Sequence, residues 1–203
     1  MRRLATWERC RHWRSSTRTV RVCALDVTRP EAAHAAVALA VEAFGGLDVL
    51  VNNAGYGLFG AIEEGVPDEY RPIFEVNVFG LIEVTRAALP VLRQRPGGRI
   101  VNLSSTAGFA GAAGSGYYCA TKFAVAGLSE ALNREVKPLG LRVIIVEPGP
   151  FRTDFLGRSI ALARRRISDY DPTAGKRCVY RDSNDGRQAG DPGKGCSGHA
   201  AGR

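Results

Sequence analysis

Tyr118-Cys119-Ala120-Thr121-Lys122 is the stretch on which this sequence turns, because Ser105 stands thirteen residues ahead of its tyrosine. A helix carries residues four apart on one face, so Tyr118 and Lys122 would project towards a common point. An ammonium beside a phenol favours the phenolate and lowers a pKa that is about 10 in model peptides. Tyrosine then becomes a proton donor and acceptor usable near neutrality. A serine hydroxyl converging on the same point could hold a substrate oxygen. Alone, the spacing is weak: tyrosine and lysine on an amphipathic helix are usually a core edge and a solvated charge.

The surrounding sequence strengthens it. Asn52-Asn53-Ala54-Gly55 follows the apolar run Leu47-Asp48-Val49-Leu50-Val51, and Asn77-Val78-Phe79-Gly80 lies inside a helical pattern. Ile100-Val101-Asn102-Leu103-Ser104-Ser105 reads as a buried strand ending in hydroxyls. Glu147-Pro148-Gly149 closes another apolar run, with Thr153 just beyond. Each segment has a plain structural reading as a turn or strand end. As an ordered series, from about Val20 to about Leu156, they closely resemble the short-chain dehydrogenase/reductase family.

That resemblance implies roles. Tyr118 would be the general acid in carbonyl reduction and the base in the reverse direction. Lys122 would lower its pKa and bond the nicotinamide ribose, and Ser105 would orient the substrate oxygen. Asn77 would interrupt its helix and hold a water that relays protons towards Lys122. For the cofactor, NAD or NADP without distinction, it places Asp26 and Val27 at the adenine ring. Asn52, Ala54 and Gly55 follow along the next strand and turn. Pro148 and Gly149 would wall the nicotinamide, and Thr153 would bond its carboxamide. Phe109, Ala112, Phe151 and Phe155 would line an apolar substrate pocket, or simply pack the loop against the core. The helices around Tyr118 and over Pro67–Arg93 would build a homo-oligomer.

The chain reads as α/β. A strand is expected over Val20–Val27, and Thr28 with Glu31 forms a capping box for an alanine-rich helix to about Phe44. Gly45-Gly46 stops it before a strand over Leu47–Asn52. Pro67 and Asp68 begin a long helix reaching about Arg93, and Arg99–Leu103 is a strand. Helix resumes from about Tyr117 to Val136, and Leu141–Val146 is the last clear strand. Near-continuous apolar strands alternating with helices predict a doubly wound, Rossmann-like parallel sheet covered on both faces. The family's T-G-x-x-x-G-x-G turn, which cradles the pyrophosphate at a helix N-terminus, is not found. Its first strand-helix-strand unit and last strand are not recognisable either, so the domain over 20–156 is expected to be incomplete, as if truncated at both ends. The strand Val20–Val27 must then close onto Leu47–Asn52 or stay without a neighbour. Residues 1–19 are expected to be irregular, and 157–203, basic and glycine-rich, largely disordered.

The formal net charge of +8 divides unevenly. Residues 1–21 carry seven arginines against Glu8, and residues 152–203 carry eleven basic and six acidic side chains. The middle, 22–151, has ten basic and thirteen acidic ones. No basic stripe with interleaved aromatics runs through the domain, which argues against nucleic acid. No apolar run approaches the ~20 residues of a membrane span, and the arginine-rich start lacks a signal peptide's apolar segment. The cytoplasm is the expected location. Five scattered cysteines without a C-x-x-C pair argue against zinc and a disulfide framework; Cys119 should be a small buried side chain.

Two functions follow. One is an NAD(P)-dependent oxidoreductase interconverting an alcohol and a ketone or aldehyde, acting on a small molecule. The alternative is a catalytically silent fragment without a pyrophosphate cradle, keeping at most a scaffold or oligomerisation role.

Overall fold

A computed structural model of the chain describes residues 20–197, with side chains to Lys194. The expectation for residues 1–19 lies outside this range. Three parallel strands form the main sheet in the order β1 (Val49–Asn52), β3 (Arg99–Leu103), β4 (Arg142–Val146). A second parallel pair joins β2 (Gly57–Phe59) to β5 (Ile160–Leu162). The α/β, Rossmann-like class read from the sequence is the one observed.

Helix α1 spans Pro30–Phe44 and ends where Gly45 turns left-handed, at φ 76°, a conformation glycine adopts without the cost of a Cβ. Its start differs from the expected capping box. Arg29 is the N-cap with no side-chain cap, Thr28 bonds back to Asp26, and Glu31 pairs with Arg29. Proline at the first helical position needs no donor satisfied, which is why the helix begins there.

The long segment from Pro67 divides into α2 (Pro67–Phe74), a π-helical turn over Glu75–Phe79, and α3 (Gly80–Leu92). Helix α4 runs Gly116–Val136. Ala88 and Leu92 of α3, Val136 of α4, Ile100 of β3 and Leu141 make the central core, joined by Leu50 and Val143. Ala33 of α1 packs on Val84 and Ala87.

Two expectations need correction. Val20–Val27 carries no strand among the described residues, and β1 pairs with β3 alone. Apolar character is not sufficient for a strand; a ladder also needs a neighbour offering N–H and C=O groups in register. For the same reason the sheet is not covered on both faces. Leu50, Ile100 and Val143 point into α3 and α4, whereas Val49, Val51 and Ile144 remain 49%, 56% and 43% exposed.

The region from 157 to 197, expected to be largely disordered, also differs. After the short helix α5 (Phe155–Arg158) come β5, a 3₁₀ turn at Ser168–Tyr170, a π-helical turn at Asp171–Gly175, α6 (Lys176–Asn184) and α7 (Pro192–Ser197). Partner groups elsewhere in the chain hold it. Arg164 bonds Asp68 at 2.6 Å and Glu69 at 2.9 Å, and Arg166 Nε lies 3.9 Å from the Glu64 carboxylate. The buried Glu64 carboxylate accepts the amides of Ala61 (2.7 Å) and Ile167 (2.9 Å). The mildly acidic middle and basic end of the chain are thus complementary surfaces.

Candidate active site

Three elements bring the expected catalytic residues together. Strand β3 delivers Ser104 and Ser105 at its C-terminal end, where an irregular segment follows a buried parallel strand. Helix α4 presents Tyr118 and Lys122 one turn apart, both buried, at 6% and 7% exposure. The π-helical turn carries Asn77, at 2% exposure. A π turn inserts one residue into a helix, so it redirects side chains that a regular helix would leave on another face.

Asn77 is tied on every side. Its Oδ1 accepts the Tyr56 amide at 3.0 Å, and its Nδ2 donates to the Tyr56 carbonyl at 2.9 Å and to Thr121 Oγ1 at 3.0 Å. Thr121 Oγ1 in turn donates to the Tyr118 carbonyl at 2.8 Å. A Cβ on Gly55 would lie 3.0 Å from Asn77 Oδ1 and 3.8 Å from Lys122 Nζ, so glycine lets the chain pass beneath both. Ser104 Oγ donates to the Lys122 carbonyl at 3.1 Å. Gly108 packs so closely that a Cβ would stand 2.4 Å from Ser104 Oγ and 2.9 Å from the Lys122 carbonyl oxygen. Sequence reasoning missed Ser104, Gly108 and Thr121. Ser104 and Thr121 were legible as neighbours within the quoted motifs, but nothing local marks Gly108.

The electrostatics depart from expectation. Burial raises the Tyr118 phenol above its ordinary value; the hydrogen-bonding Ser105 side chain and the charge of Arg177 act the other way. Burial also lowers Lys122, to about 8. The expected depression of the phenol by Lys122 is not observed. Nζ sits 5.7 Å from the centre of the Tyr118 ring and donates to the Leu103 carbonyl at 2.6 Å. Removing both groups from water disfavours both charged forms.

The expected cofactor residues divide into two groups. Tyr118, Lys122, Gly55, Pro148 and Gly149 lie around the C-terminal ends of β1, β3 and β4. The Pro148 carbonyl accepts the Thr106 amide at 3.3 Å, and nothing lies within 4 Å of a Cβ built on Gly149. Thr153 is exposed, its hydroxyl near the Phe155 amide at 3.4 Å. Asn52 is occupied elsewhere. Its side chain donates to Thr85 Oγ1 (3.0 Å) and Asn102 Oδ1 (2.8 Å), and Asn102 continues to Ser129 at 2.8 Å. This buried polar chain fastens the sheet to α3 and α4. Ala54 is exposed. Asp26 Oδ1 accepts the Thr28 amide and hydroxyl at 3.0 and 2.7 Å, while Val27 rests on Gly80.

Of the expected pocket residues, Phe155 leans on Tyr118, their ring centres 5.6 Å apart. Phe151 is bridged to Gly190, and Phe109 and Ala112 are exposed. A cleft of about 320 Å³ is lined by Val27, Thr28, Pro30, Glu75, Phe79, Gly80 and Glu83, and includes none of Ser105, Tyr118 or Lys122. Gly149 leaves open surface just beyond the C-terminal end of β4. No glycine-rich phosphate cradle is found among the described residues.

The short chain dehydrogenase family profile matches residues 4–161, reaching further at both ends than the motifs alone. The chain belongs to that family, a class of NAD(P)-using oxidoreductases. It is 40% identical over 152 residues to the 3-ketodihydrosphingosine reductase of Bacteroides thetaiotaomicron, covering 74% of this chain and 56% of that protein. It is 36% identical over 177 residues to the uncharacterized oxidoreductase YusZ of Bacillus subtilis, covering 86% and 62%. A crystal structure of a short-chain dehydrogenase from Streptomyces avermitilis superposes with a TM-score of 0.77 at 40% identity, over 87% of this chain and 64% of that one. The structure of ElxO with NADP bound superposes with a TM-score of 0.62 at 34% identity, covering 64% and 53%. The chain thus spans a little over half to just under two thirds of these relatives' length.

Proposed function

We propose that this chain carries the proton-transfer site of an NAD(P)-dependent oxidoreductase that interconverts a small-molecule alcohol and its ketone or aldehyde. The observation that supports it most is the convergence of Ser105, Tyr118, Lys122 and Asn77 from a strand end, a helix and a π turn. The bound cofactor supplies or takes up the hydride. In reduction, neutral Tyr118 gives its phenolic proton to the substrate oxygen while Ser105 holds that oxygen. The raised phenol keeps that acid form filled at neutral pH. In oxidation Tyr118 must first be the phenolate, so the rate should climb with pH. Asn77, gripping Tyr56 and Thr121, sets the distance between the Gly55 turn and α4 and so positions Lys122.

Cofactor binding would rest on Lys122, Pro148, Gly149 and Thr153, with Asp26 and Val27 at the adenine. Asn52, its side chain already engaged, would contribute backbone atoms, and Ala54 and Gly55 the adjoining turn. A homo-oligomer in the cytoplasm belongs to the same reading: Phe79, Phe123 and Leu128 are 52%, 47% and 39% exposed on or beside α4 and the π turn. The silent-scaffold alternative draws support from Val49 and Val51, which stay exposed on the open face of the sheet. Titration of the chain with NADH and NADPH, followed by nicotinamide fluorescence, separates the two. Saturable binding together with ketone-dependent oxidation of the cofactor supports the enzyme, and neither signal supports the scaffold.

A further inference from the structure

Residues 186–191 lie along the loop that follows β4 and fasten it at four points. The Gly190 amide donates to the Pro150 carbonyl at 3.0 Å, and the Arg152 amide donates to the Gly190 carbonyl at 2.8 Å. These two bonds make the parallel bridge between Phe151 and Gly190. Arg152 adds its guanidinium, which donates to the Gln188 carbonyl at 3.0 Å and pairs with Asp191 at 3.0 Å. The strap lies flat because Gly190 has no side chain. A Cβ there would stand 2.8 Å from the Phe151 ring and 2.9 Å from the Pro150 carbonyl oxygen. The strap leaves α6 through a turn in which the Arg187 amide donates to the Asn184 carbonyl at 2.9 Å. Gly186 takes φ +73° in that turn, with nothing within 4 Å of its Cβ position.

One residue of the strap opposes this closure. The Gln188 side chain belongs to a residue only 3% exposed, and neither its Nε2 nor its Oε1 has a hydrogen-bond partner. A buried amide with both ends unsatisfied costs free energy that hydration would return. The half-exposed pair of Arg152 with Asp191 offsets little of it. A few hydrogen bonds set against an unsatisfied amide make a closure that is reversible rather than fixed, with Gly186 as its hinge.

The loop so held leads directly to the site. Three residues past Arg152, Phe155 sets its ring centre 5.6 Å from that of Tyr118. Phe155 packs both on the cluster of Tyr118, Leu58 and Ile73 and on that of Phe59, Leu156 and Ile160. Tyr118 is 6% exposed, so a substrate oxygen reaches its phenol only when a covering group withdraws. We propose that residues 186–191 are a latch on the cover of the active site. Closed, they hold Pro150–Arg152 and keep Phe155 on Tyr118; opened about Gly186, they hydrate Gln188 and let substrate in. The purpose of the latch rests on the reading of Tyr118 as acid and base, but its existence is tested separately.

Two signals are followed in the folded chain, without cofactor or turnover. One is hydrogen exchange at the Gly190 and Arg152 amides. The other is nitration of Tyr118 by tetranitromethane, located by peptide mass and absent from Tyr118→Phe. Gln188→Met, which fills similar space without polar ends, should slow both by about tenfold. Arg152→Met, which loses the Gln188 and Asp191 contacts, should speed both by roughly fivefold. Unchanged exchange in either variant overturns the latch, as does faster exchange in Gln188→Met. So does exchange that shifts while nitration of Tyr118 stays at the parent's rate. Should Arg152→Met not fold, Gly190→Ala, which wedges the strap away from Phe151, is read in its place. Unfolding of both also overturns the inference, since the strap would then belong to the fold itself. An inactive chain in which both signals shift as expected supports the latch and counts only against the oxidoreductase reading.

Discussion

Residues 20–28 and residues 160–184 both lie outside the ladder of the main sheet, and they are held in opposite ways. The first is apolar over most of its length, yet it carries no strand and ends in a local turn at Asp26–Thr28, leaning on Gly80 through Val27. The second is polar and basic, yet it contributes β5 to a parallel pair, seats Ile167 on the buried Glu64, and lays Arg164 and Arg166 near the carboxylates of Asp68 and Glu64. The difference is the supply of partners. Backbone amides and charges are satisfied only where another segment offers matching groups, whatever the hydrophobicity of the stretch.

The strongest test bears on the side that is well anchored. If α4 and the C-terminal region make the chemistry, Tyr118→Phe should lower turnover by ~10²–10⁴-fold with an unchanged circular dichroism spectrum. Full retention of turnover would break the assignment.

Lys122 comes next. Its value of about 8, against 10.5 for a free lysine, means that burial disfavours its charge in the folded state. Between those two pH values the unfolded chain binds more protons, so stability rises with pH through this window. The charge therefore costs stability below about pH 8, by at most about 3 kcal/mol. Lys122→Met should be the more stable protein at pH 7 in urea unfolding, and its advantage should shrink as pH rises through 8 to 10. A difference independent of pH would count against a buried, strained ammonium.

The clasp is probed by Glu64→Ala, which strands the amides of Ala61 and Ile167. A loss of about 1–3 kcal/mol is expected, together with faster proteolysis in 160–184 than in α4. Equal cleavage of both regions would show that Glu64 does not govern this segment. The smallest effect belongs to Arg165→Ala. Its exposed contact with Glu63, at 3.8 Å, should be worth less than about 1 kcal/mol and vanish in molar salt.

Much of this was legible residue by residue. The Tyr118–Lys122 spacing survives because helical periodicity is local, and Arg99–Leu103 was read to the residue from an apolar run between Gly98 and two serines. Asn77 as a helix interruption came through the family resemblance and is met by the π turn. What failed was everything that depended on a distant partner: the strand at Val20–Val27, the Thr28 cap, the second cover of the sheet and the disorder of 157–197. The depressed phenol failed for a related reason, since spacing says that two groups are adjacent but not how much water both lose.

The sequence by itself determined strands β1, β3 and β4, helices α1 and α4, and the family, because periodicity, turn chemistry and motif spacing are written within a few residues of one another. Only the tertiary structure decided that Asn52 belongs to a buried polar chain, that Glu64 holds the C-terminal region, and that burial raises the Tyr118 phenol. These depend on burial and on contacts between segments that lie far apart in the chain, and no local pattern encodes which distant group will arrive.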